Sequence, residues 1–351
     1  MKFINRESEI KYLNNHFESE PNSLLFVYGP KSSGKSTLLN KVVNEIDIQK
    51  YTVNFLDLRE MLIYDFNSFI DRFFPKTLYG KVKDIEEGIT FNIGFFGINL
   101  KDDEKLLQQN PFKLMGDKLR SAKAKKKQPI IILDEIQLLK NIYINGEKYL
   151  IDELFNLFVR LTKVTHTAHV VLATSDSYFI EEIYNSAKLK KTSKFYFVDH
   201  FSEAEVKEWL KEEKLTKEGI QAVIKNIGGC PWELQELLQK RKRGNSINEI
   251  CEYFINDEFG KISYYRSEIS DKETKNEFDR VNKIIVEKNA YFRNDDENPI
   301  IISHLIKEMV IHDFWFYKVD EQKIIANSQS LFRAFERMNK EKINLNGTSK
   351  N

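Results

Sequence analysis

The stretch that decides the fold is Gly29-Pro30-Lys31-Ser32-Ser33-Gly34-Lys35-Ser36, which satisfies the G-x-x-x-x-G-K-[ST] pattern of a phosphate-binding loop, the Walker A motif. Before it, Leu24-Leu25-Phe26-Val27-Tyr28 is a short apolar run typical of a buried parallel strand. After it, residues 37–43 have the apolar spacing of a helix. Because strand, loop and helix follow in the order that such a loop requires, we predict a nucleotide site here.

The residues of this loop have distinct predicted roles. Gly29 and Gly34 allow successive backbone amides, and the positive end of the following helix, to face an anion. Lys35 is expected to hold the terminal phosphates and to be catalytic, and Ser36 is expected to bind Mg²⁺. The predicted nucleotide-binding set here is Gly29, Pro30, Lys31, Ser32, Ser33, Gly34, Lys35, Ser36 and Thr37.

A second motif ends in two carboxylates. Ile130-Ile131-Ile132-Leu133-Asp134-Glu135 places four apolar strand-forming residues before an acidic pair. Such a run predicts a strand buried on both faces, and the carboxyl ends of such strands are where open α/β sheets bind ligands. We interpret it as a Walker B motif, in which Asp134 reaches the metal ion and Glu135 orients or deprotonates the attacking water.

Composition indicates a soluble, intracellular protein of two or three domains. The chain has 351 residues, of which 41% are hydrophobic and 30% charged. Its two cysteines cannot form a disulfide framework, and the N-terminus has no signal-peptide pattern, so we expect the reducing cytoplasm. No apolar stretch approaches the length of a membrane-spanning helix. The net charge of +1 neither requires nor excludes nucleic acid.

The remaining apolar runs predict a doubly wound α/β core. Residues 51–57, 169–176 and 195–198 have the composition of strands, and with the two motif strands they give five parallel strands joined by helices. A helical stretch is expected directly after Asp57 and through Phe73, ending before Pro75. Residues 90–100 predict a β-hairpin inserted into this core, or alternatively a hydrophobic loop packed on it.

Before the Walker A loop, Phe3-Ile4-Asn5-Arg6-Glu7-Ser8-Glu9 resembles the entry segment of the archaeal ATPases, a family of the wider STAND and AAA+ lineage. The resemblance implies that Asn5 and Arg6 lie beside the adenine base. Alternatively, Asn5 is an ordinary helix cap and Arg6 faces solvent. In the same lineage the strand next to Walker B ends in a polar sensor of the γ-phosphate or the attacking water, which implies a catalytic role for Thr174 or Ser175, and Ser175 is our choice. Asp176 stands where many STAND proteins have an arginine.

The second half of the chain resembles the lid and C-terminal regions of the same family. Residues 201–260 predict successive helices that form a lid after a core of residues 1–200. Its Gly228-Gly229-Cys230-Pro231 corner resembles one that approaches the nucleotide, which makes Pro231 a candidate contact, although glycine and proline also suit a plain helix-helix corner. Residues 261–340 predict a winged-helix-like domain, and 341–351 an unstructured tail.

Two functions fit these motifs. The first is an ATP-binding, Mg²⁺-dependent ATPase in which ATP and ADP states drive a conformational switch or motor. The second is a switch that holds nucleotide with negligible hydrolysis and binds DNA or protein, through the C-terminal domain. Glu135 favours the first, whereas the lack of an assignable arginine finger among Arg72, Arg120 and Arg160 favours the second. Basic clusters at 118–127, 188–194 and 240–243 leave nucleic acid open, and the oligomeric state is not predicted.

Overall fold

A computed structural model describes residues 6–60, 62–73, 110–186, 189–292 and 303–348. The predicted hairpin insertion near 90–100 and the predicted contact Asn5 lie outside these ranges. The helix for which Asn5 was the expected cap begins at Glu7, and Arg6 occupies its N-cap position.

Within the described ranges, a central sheet of five parallel strands carries the fold. Its strands are β1 (Leu24–Tyr28), β2 (Tyr51–Asp57), β3 (Gln128–Asp134), β6 (His169–Thr174) and β7 (Ser193–Phe197), and a small hairpin, β4 (Tyr143–Ile144) with β5 (Lys148–Tyr149), stands apart. The spatial order is β2-β3-β6-β1-β7, and every neighbouring pair is parallel. The predicted doubly wound sheet is therefore confirmed. The two motif-bearing strands, β1 and β3, lie on either side of β6.

Helices cover both faces of this sheet because successive side chains of a buried strand point to opposite sides. Leu25 and Val27 pack into one apolar core with the first two helices, whereas Leu24 and Phe26 pack into the other. The helices of this region are α1 (Glu7–Glu18), α2 (Lys35–Glu45), α3 (Phe66–Phe73), α4 (Pro111–Ala124), α5 (Leu150–Val159) and α6 (Ser177–Asn185). A 3₁₀ turn follows β3 (Ile136–Leu139), and a π-helical turn follows α5 (Arg160–Val164).

The segment after β2 differs from its prediction. We expected a helix directly after Asp57, but the chain first makes a turn in which the Asp57 carboxylate accepts a hydrogen bond from the Arg59 amide. The helix begins only at Phe66, where the Asp65 carboxylate accepts a hydrogen bond from the Ser68 amide and caps the first turn.

Four helices follow the sheet, as expected for the predicted lid region. They are α7 (Glu203–Glu212), α8 (Lys217–Asn226), α9 (Pro231–Lys242) and α10 (Ile247–Glu268). Ser202 and Glu205 form a reciprocal cap of α7. The helix α10 continues through position 260, so it joins this region to the next one without a break.

Among the described residues, the C-terminal region contains three helices and three strands. They are α11 (Lys272–Lys288), β8 (Tyr291–Phe292), α12 (Ser303–Ile311), β9 (Trp315–Lys318), β10 (Lys323–Ala326) and α13 (Gln329–Thr348). The strands form an antiparallel sheet in the order β8-β10-β9. Residues 341–348, expected in an unstructured tail, continue α13.

Candidate functional site

Two glycines, Gly29 and Gly34, shape the loop between β1 and α2. A Cβ atom at Gly29 would lie 2.0 Å from the carbonyl oxygen of Val198. Gly34 has φ +90°, in the left-handed region that favours glycine, and it immediately precedes α2. The loop can therefore pack closely against the end of β7 and still present backbone amides at the start of a helix, which is the geometry that binds phosphate.

Lys35 lies inside this loop with its ammonium turned toward the loop backbone. Its Nζ donates to the carbonyl oxygens of Gly29 at 3.0 Å and Pro30 at 2.9 Å. Burial lowers the pKa of Lys35 to about 8, an effect that the nearby carboxylates Glu135 and Asp134 oppose. The ammonium is thus a desolvated cation at the place where the sequence predicted terminal phosphates.

Asp134 ends β3 as a fully buried carboxylate. One oxygen, Oδ1, accepts a hydrogen bond from the Glu135 amide at 3.0 Å, and among the described residues Oδ2 has no hydrogen-bond partner. Burial raises the pKa of Asp134, and the neighbouring Ser36 hydroxyl opposes this rise. A buried, unpartnered carboxylate oxygen beside a hydroxyl is a set of hard oxygen donors that fits Mg²⁺. The two residues predicted to bind the metal ion are thus brought together.

Glu135 follows β3 with φ 60° and is held by side chains from three segments. Arg59 lies 2.8 Å from Oε1, and the Ser175 hydroxyl donates to Oε2 at 3.3 Å. The Gln137 amide also donates to Oε2. Arg59 and Gln137 were not among the predicted site residues, although Arg59 follows β2, whose carboxyl end adjoins that of β3.

The polar end of β6 contributes two hydroxyls to this network. Ser175 contacts Glu135 directly, while Thr174 Oγ1 donates to Gln137 Oε1 at 2.6 Å. Asp176, at the position where an arginine was expected from the lineage, accepts a hydrogen bond from the Phe179 amide and caps α6. Its side chain is therefore explained by the helix start.

Arg6 lies against the loop and not in solvent, so the alternative of a solvent-facing arginine was wrong. Its guanidinium donates to the carbonyl oxygens of Ser33 at 2.8 Å and Asp199 at 2.7 Å. It also lies 4.6 Å from the centre of the Phe201 ring and pairs with Glu9. Arg6 therefore connects the N-terminal segment, the phosphate-binding loop and the segment that follows β7.

The Gly228-Gly229-Cys230-Pro231 corner packs against the core exit and the C-terminal region. A Cβ atom at Gly229 would lie 1.8 Å from the Phe201 carbonyl oxygen, and one at Gly228 would lie 2.6 Å from Gln329 Cβ. Gly228 has φ +70°, and Pro231 begins α9, as predicted. Close packing thus accounts for both glycines, and a nucleotide contact by Pro231 stays a prediction.

The C-terminal region also reaches the phosphate-binding loop. Lys31 Nζ lies 2.6 Å from Asp313 Oδ2, just after α12. The Tyr28 hydroxyl, at the end of β1, donates to Asp320 at 3.2 Å. Ser177 accepts a hydrogen bond from the Tyr317 amide in β9. The predicted nucleotide site is therefore bordered by core and C-terminal residues together.

Comparison with known proteins agrees with this geometry. Residues 3–237 match the model of an ATPase domain found predominantly in Archaea. An uncharacterized ATP-binding protein of Methanocaldococcus jannaschii is 38% identical over 340 residues, which is 95% of this chain and 89% of the relative. A second such protein of the same organism is 37% identical over 264 residues, or 75% of this chain and 78% of the relative.

Two solved structures have a similar fold. The Walker-type ATPase of Pyrococcus abyssi matches with a TM-score of 0.60 at 14% identity and covers 95% of this chain and 96% of its own. The ORC2 protein of Aeropyrum pernix, in its ADPNP–ADP complexes, matches with a TM-score of 0.50 at 10% identity. The match covers 97% of this chain and 95% of the ORC2 chain. The parallel sheet and the loop between β1 and α2 define the fold of a P-loop nucleotide-binding protein. The chain belongs to the archaeal ATPase family, as its sequence resemblance indicated. Among the residues that the structure describes, none of the helices combines the length and the apolar character of a membrane-spanning segment.

Proposed function

We propose that this protein hydrolyses ATP with Mg²⁺ and uses the ATP and ADP states to change the position of its lid and C-terminal regions. The observation that carries the proposal is the meeting of two strand ends. Lys35 and Ser36 after β1 come together with Asp134 and Glu135 after β3, so a phosphate-binding cation, two oxygen donors and a base occupy one site.

Each residue has one task in this proposal. Lys35 exchanges its bonds to the loop carbonyls for bonds to the terminal phosphates, while the loop amides hold the remaining phosphate oxygens. Ser36 and Asp134 hold Mg²⁺, which when bound neutralises developing charge on the phosphate oxygens. Glu135 orients the attacking water and accepts its proton, with Ser175 fixing the carboxylate. Asn5, Arg6 and Pro231 are proposed to border the nucleotide.

The switching part of the proposal rests on where the C-terminal region lies. Lys31 belongs to the phosphate-binding loop, and its cationic end is paired with Asp313. Phosphates that enter the loop compete with Asp313 for Lys31, so nucleotide binding weakens a contact between two regions. We propose a core of residues 1–200, a lid of 201–260 and a winged-helix-like domain of 261–340 as the parts that move.

One observation favours the second candidate, a switch that holds nucleotide without turning it over and that binds DNA or protein through the C-terminal domain. The ion pair between Arg59 and Glu135 occupies the carboxylate that would have to accept a proton. The guanidinium of Arg59 lies 2.8 Å from Oε1, so this oxygen is already engaged and is not free to contact water. Turnover therefore requires that Arg59 permits Glu135 to reach water.

The deciding experiment compares the wild-type protein with Glu135→Gln. The substitution keeps the shape and removes the base, so ATP and Mg²⁺ should still bind while single-turnover hydrolysis falls by roughly a hundredfold or more. Addition of a chelator to the wild-type protein should abolish turnover as well. If both proteins hydrolyse ATP equally slowly, the nucleotide-holding switch is favoured, whereas equal and substantial rates would remove Glu135 from the chemistry.

A further inference from the structure

Gln137 connects the ends of β3 and β6, which neither the Walker A nor the Walker B motif links. It lies in the 3₁₀ turn directly after Glu135, whose left-handed backbone turns the chain back toward the strand ends. Its side chain lies between Glu135 Oε2 and the Thr174 hydroxyl, on the neighbouring strand β6. A single amide therefore joins the carboxyl ends of β3 and β6.

The direction of this hydrogen-bond chain follows from its donors and acceptors. The Asp176 amide donates to Thr174 Oγ1 at 3.0 Å, which leaves the Thr174 proton free to be donated onward. That proton meets Gln137 Oε1 at 2.6 Å. With its oxygen occupied, Gln137 can present only its amide nitrogen to Glu135, and the nitrogen is a donor that requires an acceptor.

We infer that Gln137 is a positioning residue, oriented by Thr174, that fixes the Glu135 carboxylate at the angle needed to receive the attacking water. This inference rests on the proposed ATP hydrolysis. It adds Gln137 as a residue that positions Glu135, and Thr174 as the residue that orients Gln137. Thr174 acts on Glu135 through Gln137, whereas Ser175 touches Glu135 directly. Arg59, Lys35 and Asp134 are the charged groups that surround this carboxylate, and none of them contacts Gln137 in the described structure.

The alternative is that Gln137 only fills space beside the strand ends. A space-filling role depends on side-chain volume, while a positioning role depends on the hydroxyl of Thr174 and the amide of Gln137. Thr174→Val keeps the volume and removes the hydroxyl, Thr174→Ser keeps the hydroxyl, and Gln137→Met keeps the length and removes the amide.

The first measurement is steady-state hydrolysis by these variants. Thr174→Val and Gln137→Met should each lower kcat about tenfold, the effect of one lost hydrogen bond to a charged group, with little change in KM. Thr174→Ser should restore most of the rate. The double variant should be no slower than Gln137→Met alone, because both substitutions break one chain. Additive losses, or a Thr174→Ser variant as slow as Thr174→Val, would overturn the inference.

The second measurement needs neither nucleotide nor turnover. The side-chain amide signals of Gln137 in a nitrogen–proton NMR spectrum are identified by their loss in Gln137→Met. They should shift in Thr174→Val and stay in place in Thr174→Ser. Unchanged signals in Thr174→Val show that Thr174 does not orient Gln137, and the inference fails. If wild type and Glu135→Gln hydrolyse equally slowly, it is the proposed function that fails, and the NMR comparison alone decides the route.

Discussion

At the scale of the residue, Lys35 combines a charge with almost complete burial. Only 5% of the residue is exposed, and burial lowers the pKa of its ammonium to about 8. The carbonyl oxygens of Gly29 and Pro30 replace part of the water that an exposed ammonium would have. A phosphate that reaches the loop therefore meets a cation that is already desolvated and oriented, which strengthens their interaction.

Removal of this cation should weaken nucleotide binding far more than it affects the fold. For Lys35→Ala we expect the Kd for MgATP, measured by equilibrium titration, to rise roughly a hundredfold, the effect of a lost charge-assisted contact. The unfolding midpoint should change little, since a desolvated ammonium is costly to bury. Lys41→Ala on the same helix, where the lysine pairs with Glu45 at the surface, is the matched control. Equal affinities in the two variants would contradict the assignment of the loop.

The site residues that the sequence predicted belong to local motifs, whereas those that it did not predict reach the site through tertiary contacts. Lys35, Ser36, Asp134 and Glu135 belong to motifs whose spacing is local, so the pattern alone located them and the structure brings them together. Arg59 has no such pattern, because its contact with Glu135 depends on β2 lying next to β3. Strand order cannot be read from apolar runs.

At the scale of the element, Glu233 is a carboxyl buried where α9 meets α13. Its Oε1 accepts a hydrogen bond from Ser330, and among the described residues Oε2 has no partner. Burial raises the pKa of Glu233 to about 7, Glu258 adds to the rise, and Lys261 opposes it. Where α9 meets α13, the folded protein therefore favours the protonated form of Glu233 up to a pH of about 7.

This burial predicts a pH-dependent stability with a definite sign. Between the ordinary pKa of 4.5 and about 7, the unfolded carboxyl is ionised while the folded one keeps its proton, so the folded state loses stability as pH rises. Glu233→Gln mimics the protonated form. Its unfolding free energy should match the wild type near the ordinary pKa and exceed it, on the order of 3 kcal/mol, above the folded pKa.

Chemical unfolding across this pH range tests the prediction. The difference between Glu233→Gln and wild type should grow from acidic to alkaline pH. Glu236→Gln, a partly exposed position on the same helix, controls for the change of net charge alone. A difference that is constant with pH would show that Glu233 does not titrate between folded and unfolded states.

Helices and strands could be predicted from the sequence where a local residue pattern is strong. They could not be predicted where contacts between distant residues determine the structure. The five sheet strands follow apolar runs, and the caps at Ser202 and the corner before Pro231 follow residue chemistry. The start of α3 was missed, because a side-chain turn at Asp57 competes with the helix. The hydrogen bonds of Arg6 to the Ser33 and Asp199 carbonyls were not predicted, since a contact between residues far apart in the chain leaves no local pattern.

At the scale of the whole molecule, the C-terminal region contacts both the phosphate-binding loop and the end of β7. Lys31 of the phosphate-binding loop pairs with Asp313, and Lys318 of β9 pairs with Asp199 after β7. Phe316 packs against Phe197 at 5.7 Å between ring centres. We propose that phosphate competes with Asp313 for Lys31, whereas the aromatic contact contains no charged group that phosphate could displace. The charged contact is therefore the part of this interface through which the proposed switch would act.

Asp313→Asn tests that coupling. The substitution removes a negative charge beside the phosphate-binding loop and releases Lys31, so the Kd for MgATP should fall roughly three- to fivefold, which is the range of a half-exposed ion pair. The gain should shrink at high salt, because exposed charges are screened. Glu321→Gln is the matched control, since Glu321 pairs with Lys318 and Lys323 within its own region. If both variants bind MgATP as the wild type does, the contact of Lys31 with Asp313 is a surface pair without influence on nucleotide, and the proposed route from the loop to the C-terminal region is wrong.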